Sequence, residues 1–219
     1  MTILVVQCRL SSTRLPGKAL LPLGNSTVLD WTLAAMKKVP ADEYYLATDS
    51  ESCEQLAPVA KRNGFNVFEG PLEDVLERFC LLIKKTKADT VIRATADNPF
   101  LFYDCAISLL EQYNRRSQTG KCDYITYTGL PHGSGVEIFN AESLLKAASL
   151  TEEPYDHEHV GPSLYNHPEN FTSVMLASPS QWNRPSLRTT IDTPADYRRA
   201  CTVVRNLGGT GPYTSEEII

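Results

Sequence analysis

The chain has 219 residues, 42% of them hydrophobic, which is enough for an ordinary buried core and suits one domain over residues 1–219. Its formal net charge of −5 leaves no excess of Lys and Arg for a run of nucleic-acid phosphates, so no nucleic-acid partner is expected. The opening residues lack the basic lead and long apolar run of a signal peptide, and no later run is long enough to cross a bilayer. We therefore expect a cytoplasmic protein without a membrane partner.

Short apolar runs rich in β-forming residues alternate along the chain with stretches that have helical spacing. This pattern is typical of an α/β sheet covered by helices on both faces, and it favours a mainly parallel sheet. Strands are predicted over 3–6, 44–47, 67–68, 90–94, 124–127, 136–139, 173–176 and 187–191. Helices are predicted over 28–38, 54–63, 74–85, 104–116, 141–148 and 194–207, with one further short helix expected between 149 and 170.

Capping residues predict several helix ends. Thr193, Pro194 and Asp196 form a capping sequence, because the hydroxyl can accept from the third helical amide while proline suits the first helical position. Gly64 and Gly208 each follow a helical run and suit the left-handed closing position. These signals predict a helix start at 194 and helix ends near 63 and 207.

The first strand is followed by a loop, residues 7–18, that carries three cations, three hydroxyls and one glycine. Arginine can grip phosphate oxygens with two parallel bonds, lysine supplies a mobile point charge, and loop amides can line a triphosphate. The loop is not a Walker A motif, because its first glycine is missing and Ala19 follows Lys18. A polar surface loop without a ligand remains the alternative.

Two aspartates follow predicted strands at positions where a ligand of an open α/β sheet is expected to bind. Asp97 comes after the strand 90–94, and Asp192 comes after the strand 187–191. Carboxylate oxygens at such sites can hold a hard divalent cation together with substrate phosphates. The alternatives are an Asx-turn at Asp97 and favourable helix-start electrostatics at Asp192.

The cysteines and histidines give no sign of a transition-metal site. The six cysteines include no Cys-x-x-Cys pair, so reduced and mostly buried thiols are expected. His157 and His159 are two residues apart, which would place their rings on different sides of a helix. We therefore expect no zinc.

Six blocks of sequence, in order along nearly the whole chain, resemble the spore-coat polysaccharide cytidylyltransferases, relatives of the enzymes that make CMP-activated keto-sugar acids. The blocks are 7–24 (QCRLSSTRLPGKALLPLG), 68–79 with FEG and EDVLERF, 91–99 (VIRATADNP), 131–139 (PHGSGVEIF), 158–160 (EHV) and 187–197 (LRTTIDTPADY). Two departures stand out: Cys8 replaces a small alanine, and Ala96-Asp97-Asn98 replaces Gly-Asp-Cys. The chain also ends soon after Ile218, so its terminal helix looks short.

The resemblance implies a three-layer α/β/α nucleotidyltransferase of the glycosyltransferase-A type with a mixed, mainly parallel sheet. It implies transfer of CMP from CTP to a small sugar or sugar acid for surface polysaccharide biosynthesis, with magnesium bound by Asp97 and Asp192. Lys18 and Arg14 would act with these aspartates as catalytic residues. The expected nucleotide-binding residues are Gln7, Arg9, Ser12, Arg14, Lys18, Asp74, Arg78 and Arg93. The expected acceptor-binding residues are His132, Glu137 and His159.

The resemblance also implies a homodimer that pairs near the strand 136–139. Three other functions remain open on the sequence. They are a sugar-1-phosphate nucleotidyltransferase that uses another nucleoside triphosphate, a nucleotide-sugar-dependent glycosyltransferase, and a non-catalytic binding protein. The glycosyltransferase is disfavoured because no Asp-x-Asp motif surrounds Asp97.

Overall fold

The computed structural model describes residues 1–219. Its strands are β1 (Thr2–Gln7), β2 (Pro22–Leu23), β3 (Ser26–Thr27), β4 (Glu43–Thr48), β5 (Asn66–Glu69), β6 (Thr90–Thr95), β7 (Tyr124–Thr128), β8 (Glu137–Asn140) and β9 (Ser173–Ala177). Its helices are α1 (Val28–Met36), α2 (Ser50–Arg62), α3 (Val75–Thr86), α4 (Tyr103–Thr119), α5 (Ala141–Ala148), α6 (Pro154–His159), α7 (Pro162–Tyr165), α8 (Pro194–Asn206) and α9 (Ser215–Ile218).

Seven strands form one sheet in the order β5-β4-β1-β6-β8-β7-β9. The pairs among β5, β4, β1 and β6 are parallel, and so is the pair of β7 with β9, whereas β8 runs antiparallel to both its neighbours. The sheet is therefore mixed and mainly parallel, as predicted. The strands β2 and β3 form a separate small hairpin.

Helices cover both faces of the sheet, which explains the continuous apolar run in β1. Leu4 and Val6 face a core shared with α1, α2 and α4, whereas Ile3 and Val5 face a second core shared with α3 and α5. A third, smaller core lies under α8 and the β2–β3 hairpin. None of the helices is both long and apolar enough to span a membrane.

The structure confirms the helix ends that the capping residues predicted. Thr193 caps α8 in a reciprocal capping box with Asp196, and Pro194 is the first helical residue. Gly64 and Gly208 both have positive φ, 72° and 87° respectively, just beyond the ends of α2 and α8. The segment after α5 contains two short helices, α6 and α7, where one was expected.

One predicted strand, 187–191, is wrong. This segment crosses over the carboxyl end of the sheet and makes a single bridge, between Arg188 and His132. Thr190 and Ile191 are buried there, whereas Leu187 is 43% exposed, and Ile191 donates its amide to the carbonyl of Asp97 at 2.8 Å. The β-forming residue types of this segment therefore do not place it in the sheet.

The region expected to mediate pairing of two copies, near residues 136–139, contains an interior strand. Strand β8 lies inside the sheet, hydrogen-bonded to β6 on one side and β7 on the other, and Ile138 and Phe139 are fully buried. Both of its edges are already used. A second copy therefore cannot extend the sheet by hydrogen bonding to this strand, and pairing through neighbouring residues stays a prediction.

Candidate active site

The loop after β1 is tied down at both ends so that it presents its cations over the carboxyl end of the sheet. Gly17 has φ 67°, a left-handed conformation that glycine adopts without strain, and its amide donates to the carbonyl of Leu10 at 3.1 Å. The amide of Leu10 in turn donates to Ser52 Oγ at 3.0 Å. Lys18 follows at the start of a short 3-10 turn, Lys18–Leu20.

Lys18 joins the two distant aspartates. Its Nζ donates to Asp97 Oδ2 at 2.8 Å and to Asp192 Oδ1 at 3.0 Å, and its side chain is only 12% exposed. Arg14 from the same loop donates to Asp192 Oδ1 at 3.0 Å. The structure therefore brings together the four residues expected to be catalytic, although they are far apart in the sequence.

Asp192 is held in place by the start of α8 and by the end of β6. Its amide donates to Asp196 Oδ2 at 3.3 Å, while the amide of the preceding residue, Ile191, donates to the carbonyl of Asp97. Its second carboxylate oxygen accepts from Arg188 and, at 3.2 Å, from Thr190 Oγ1. Sequence reasoning missed Arg188; its position four residues before Asp192 was the available signal.

The charge balance keeps Asp192 ionised. Burial opposes ionisation, but the hydrogen bond and positive charge of Lys18, with the charge of Arg14, outweigh it and hold the pKa of Asp192 below its ordinary value. Asp97 and Asp192 thus lie close together, and both contact the positive charge of Lys18.

These carboxylates fit a hard divalent cation, because both already converge on one positive group, the Lys18 ammonium. No group of three or more His, Cys, Asp or Glu side chains is arranged to hold a metal ion. Magnesium does not need one, since it is usually held by one or two carboxylates with waters and substrate phosphates completing its coordination. The donor set suits a metal that arrives with a nucleotide.

A cleft of about 400 Å³ opens next to the aspartates, beyond β6 and β8. All three residues expected to bind the acceptor, His132, Glu137 and His159, line it. Asn98, which follows Asp97 directly in the sequence, also lines the cleft. Tyr155 and Tyr165 are lining residues that sequence reasoning missed, because they come from the poorly patterned segment before β9.

Arg93 lines this cleft. It is not one of the residues that contact Lys18, Asp97 or Asp192. It lies directly opposite Glu137 in the β6–β8 register and forms an ion pair with it. Its Nε donates to Gln7 Oε1 at 2.7 Å, and Glu137 also accepts from Tyr124 OH at 2.7 Å. Burial and the Glu137 carboxylate both raise the pKa of Tyr124, so its hydroxyl stays protonated and remains a donor.

Asp74 and Arg78 make contacts that stabilise the protein, with no ligand needed to explain them. Asp74 caps α3 by accepting from the Glu77 amide at 2.8 Å, and its other oxygen contacts His157 Nδ1 at 2.8 Å. Arg78 is 2% exposed and donates to the carbonyls of Pro71 and Leu72. The two residues therefore shape the 70–74 turn beside the cation-rich loop.

The remaining loop residues lie apart from Lys18. Arg9 forms an ion pair at 3.3 Å with Glu158 of α6, and both side chains are about half exposed. Ser12 is half-buried in the loop and makes no side-chain hydrogen bond. Of the eight residues expected to bind the nucleotide, only Arg14 and Lys18 contact the aspartate pair directly.

Comparison with known proteins gives matches over nearly the whole chain. A family model described as cytidylyltransferase matches residues 3–213. The spore coat polysaccharide biosynthesis protein SpsF of Bacillus subtilis (strain 168) is 31% identical, over 98% of this chain and 91% of its own. The solved structure of a cytidylyltransferase from Leptospira borgpetersenii serovar Hardjo-bovis is 27% identical with a TM-score of 0.86, over 98% of this chain and 89% of its own.

A more distant solved structure shares the fold alone. It is a CMP:2-keto-3-deoxy-manno-octonic acid synthetase complexed with CTP, 17% identical, with a TM-score of 0.70, over 94% of this chain and 98% of its own.

Proposed function

Because this chain belongs to the cytidylyltransferase family, we propose that it transfers CMP from CTP to a small sugar or sugar acid and releases pyrophosphate. The relative SpsF, named for spore coat polysaccharide biosynthesis, supports a role in making a surface polysaccharide. The acceptor would lie in the cleft lined by His132, Glu137 and His159. Its hydroxyl oxygen would attack the α-phosphorus of CTP.

One observation carries the proposal: the Lys18 ammonium, on a side chain only 12% exposed, contacts both Asp97 and Asp192, and Asn98, next to Asp97 in the sequence, lines the acceptor cleft. A triphosphate and an acceptor hydroxyl must meet at such a point. Cations fixed there stabilise the charge that develops on phosphate oxygens during the displacement. The alternative of a polar surface loop without a ligand does not explain why Lys18 contacts aspartates from two distant segments.

The chain's own residues have distinct parts in this reaction. Lys18 and Arg14 would neutralise and orient the triphosphate, and the Arg93–Glu137 pair would orient the acceptor. We propose magnesium as the metal, held by Asp97 and Asp192 because they are its preferred oxygen ligands. When bound, it would supply further positive charge to the phosphates.

The test measures pyrophosphate release with each of the four common nucleoside triphosphates, magnesium and a panel of neutral sugars, sugar 1-phosphates and keto-sugar acids. A strong single preference for CTP is expected. Preference for another triphosphate together with a sugar 1-phosphate would identify the protein as a different nucleotidyltransferase. No release with any pair, and no magnesium-dependent CTP binding by calorimetry, would leave a non-catalytic binding protein.

We further propose that the protein works in the cytoplasm, where CTP is made, and that it forms a homodimer. The free edges of the sheet are β5 and β9, and β9 exposes about half of Met175, which supports pairing there and not at β8. Sedimentation equilibrium of the protein and of Met175→Lys tests this point. A monomeric wild type, or an unchanged dimer in the variant, would contradict it.

A further inference from the structure

The backbone takes a strained conformation at the end of α6, on the wall of the acceptor cleft. Val160 has φ 65° and ψ −63°, a combination that β-branched residues almost never adopt. The amide of Gly161 donates to the carbonyl of His159 at 2.8 Å, which closes a three-residue γ-turn around Val160. This form of the γ-turn is rare because it is strained.

Buried contacts hold the turn in this conformation. The Val160 side chain is fully buried in the core under α3 and α5. Its carbonyl accepts twice from Ser163, from the amide at 3.1 Å and from Oγ at 2.6 Å, and Ser163 is itself fully buried. Its amide donates to the carbonyl of Asp156 at 2.9 Å. A strained conformation persists only where surrounding contacts determine it in this way.

The residues on both sides of Val160 are close to the acceptor cleft. The arm before Val160 ends in His159, and the arm after it begins with Gly161. On one arm, His159 lines the cleft with its ring packed against Tyr155, the ring centroids 4.3 Å apart and the planes tilted by 54°. On the other arm, Gly161 lies so close to Glu137 that a Cβ atom there would be 2.3 Å from Oε1. A relaxed backbone at Val160 would therefore move both His159 and Gly161, and Gly161 lies against Glu137.

We propose that Val160 and Ser163 are positioning residues that use this strained turn to set His159 and Glu137 for binding the acceptor. Neither residue lines the cleft; they act through the residues on either side of the turn. The proposal rests on the proposed function for the nature of the acceptor. The conformation of the turn itself can be measured without any substrate.

A pair of substitutions at Val160 separates positioning from plain packing. Val160→Ala and Val160→Gly both lose the buried side chain and should both lower the melting temperature. Only glycine adopts positive φ without a steric penalty, so the turn should persist in Val160→Gly and relax in Val160→Ala. Ser163→Ala removes one of the two bonds to the Val160 carbonyl and should also relax the turn, which gives a second test if Val160→Ala does not fold.

The readouts are the KM for the acceptor, the Kd for CTP, and the nuclear Overhauser contact between the Tyr155 and His159 rings. In Val160→Ala and Ser163→Ala the acceptor KM should rise about fivefold or more, with CTP affinity within about twofold of wild type. Val160→Gly should keep an acceptor KM within about twofold of wild type. The ring contact should weaken in the first two variants and remain in the third.

An unchanged acceptor KM and ring contact in Val160→Ala and Ser163→Ala would overturn the proposal, as would equal changes in the alanine and glycine variants at 160. If the wild-type protein releases no pyrophosphate from CTP, the proposed function fails. The ring contact in the unliganded variants would still decide whether the strained turn positions His159.

Discussion

Replacement of Lys18 by methionine tests the centre of the site most directly. The variant removes the ammonium between Asp97 and Asp192 and leaves two carboxylates facing each other. Two charge-assisted hydrogen bonds are lost, each contributing about 1.5–3 kcal/mol where it is well buried. Asp192 keeps Arg14 and Arg188 as partners and the Asp97 side chain is 27% exposed, so we expect a net destabilisation of about 2 kcal/mol.

For a chain of this size, such a loss lowers the melting temperature by about 4–8 °C. Thermal unfolding without and with magnesium measures it. Magnesium should restore more stability to Lys18→Met than to wild type, because a divalent cation can take the place of the ammonium and ligand binding stabilises the folded state. Turnover should fall about a hundredfold or more, since one well-placed electrostatic contact contributes that much to catalysis.

Lys38→Met serves as the control, because Lys38 is exposed and makes no side-chain hydrogen bond; it should change neither quantity. The reasoning would be refuted if Lys18→Met unfolded at the wild-type temperature without magnesium and retained turnover within about threefold of wild type.

Three further predictions follow from individual contacts. Asp97→Ala and Asp192→Ala should each lower pyrophosphate release about a hundredfold or more, while Glu111→Gln, which breaks an exposed ion pair, should not; near-normal release by folded aspartate variants would remove their assigned role. The hydrogen bond that the His157 ring donates to the Asp74 carboxylate raises the pKa of His157, so its stabilisation is complete below about pH 6.5 and is lost as the pH rises through the folded value. The urea midpoints of wild type and His157→Gln should therefore differ at pH 5.5 and converge by pH 9; a constant difference would contradict this. Gly133→Ala should destabilise by about 3 kcal/mol, because Gly133 has φ 95° and a Cβ there would lie 2.2 Å from a side-chain carbon; an unchanged melting temperature would show that the turn can relax.

Local sequence patterns predicted most of the secondary structure. Seven of the eight predicted strands and all six predicted helices form, because apolar periodicity reports directly which face of each element is buried. The capping sequence at Thr193 fixed the start of α8 to the residue, since its hydrogen bonds are local. The failure at 187–191 has a different cause. The prediction used residue types alone, whereas Leu187 is 43% exposed and the segment's one bridge is to His132, outside the strands.

The candidate site could be predicted only in part. The cation-rich loop and the two aspartates stood out because their residue types suit phosphate and magnesium, and the rule for sheet ends placed them at one edge. The partners of individual side chains could not be predicted. Arg93 forms its ion pair with Glu137, because the β6–β8 register sets them opposite each other.

The sequence by itself determined the kind of chemistry, since the types and order of charged residues along the chain limit what a site can hold. Only the tertiary structure decided which charges share a partner, which arginine belongs to the cleft, and that Val160 is forced into a strained turn. Those outcomes depend on contacts between segments as far apart as Arg14 and Asp192. Such contacts exist only after helices and strands have packed, because the energy that fixes them comes from burial shared by the whole chain.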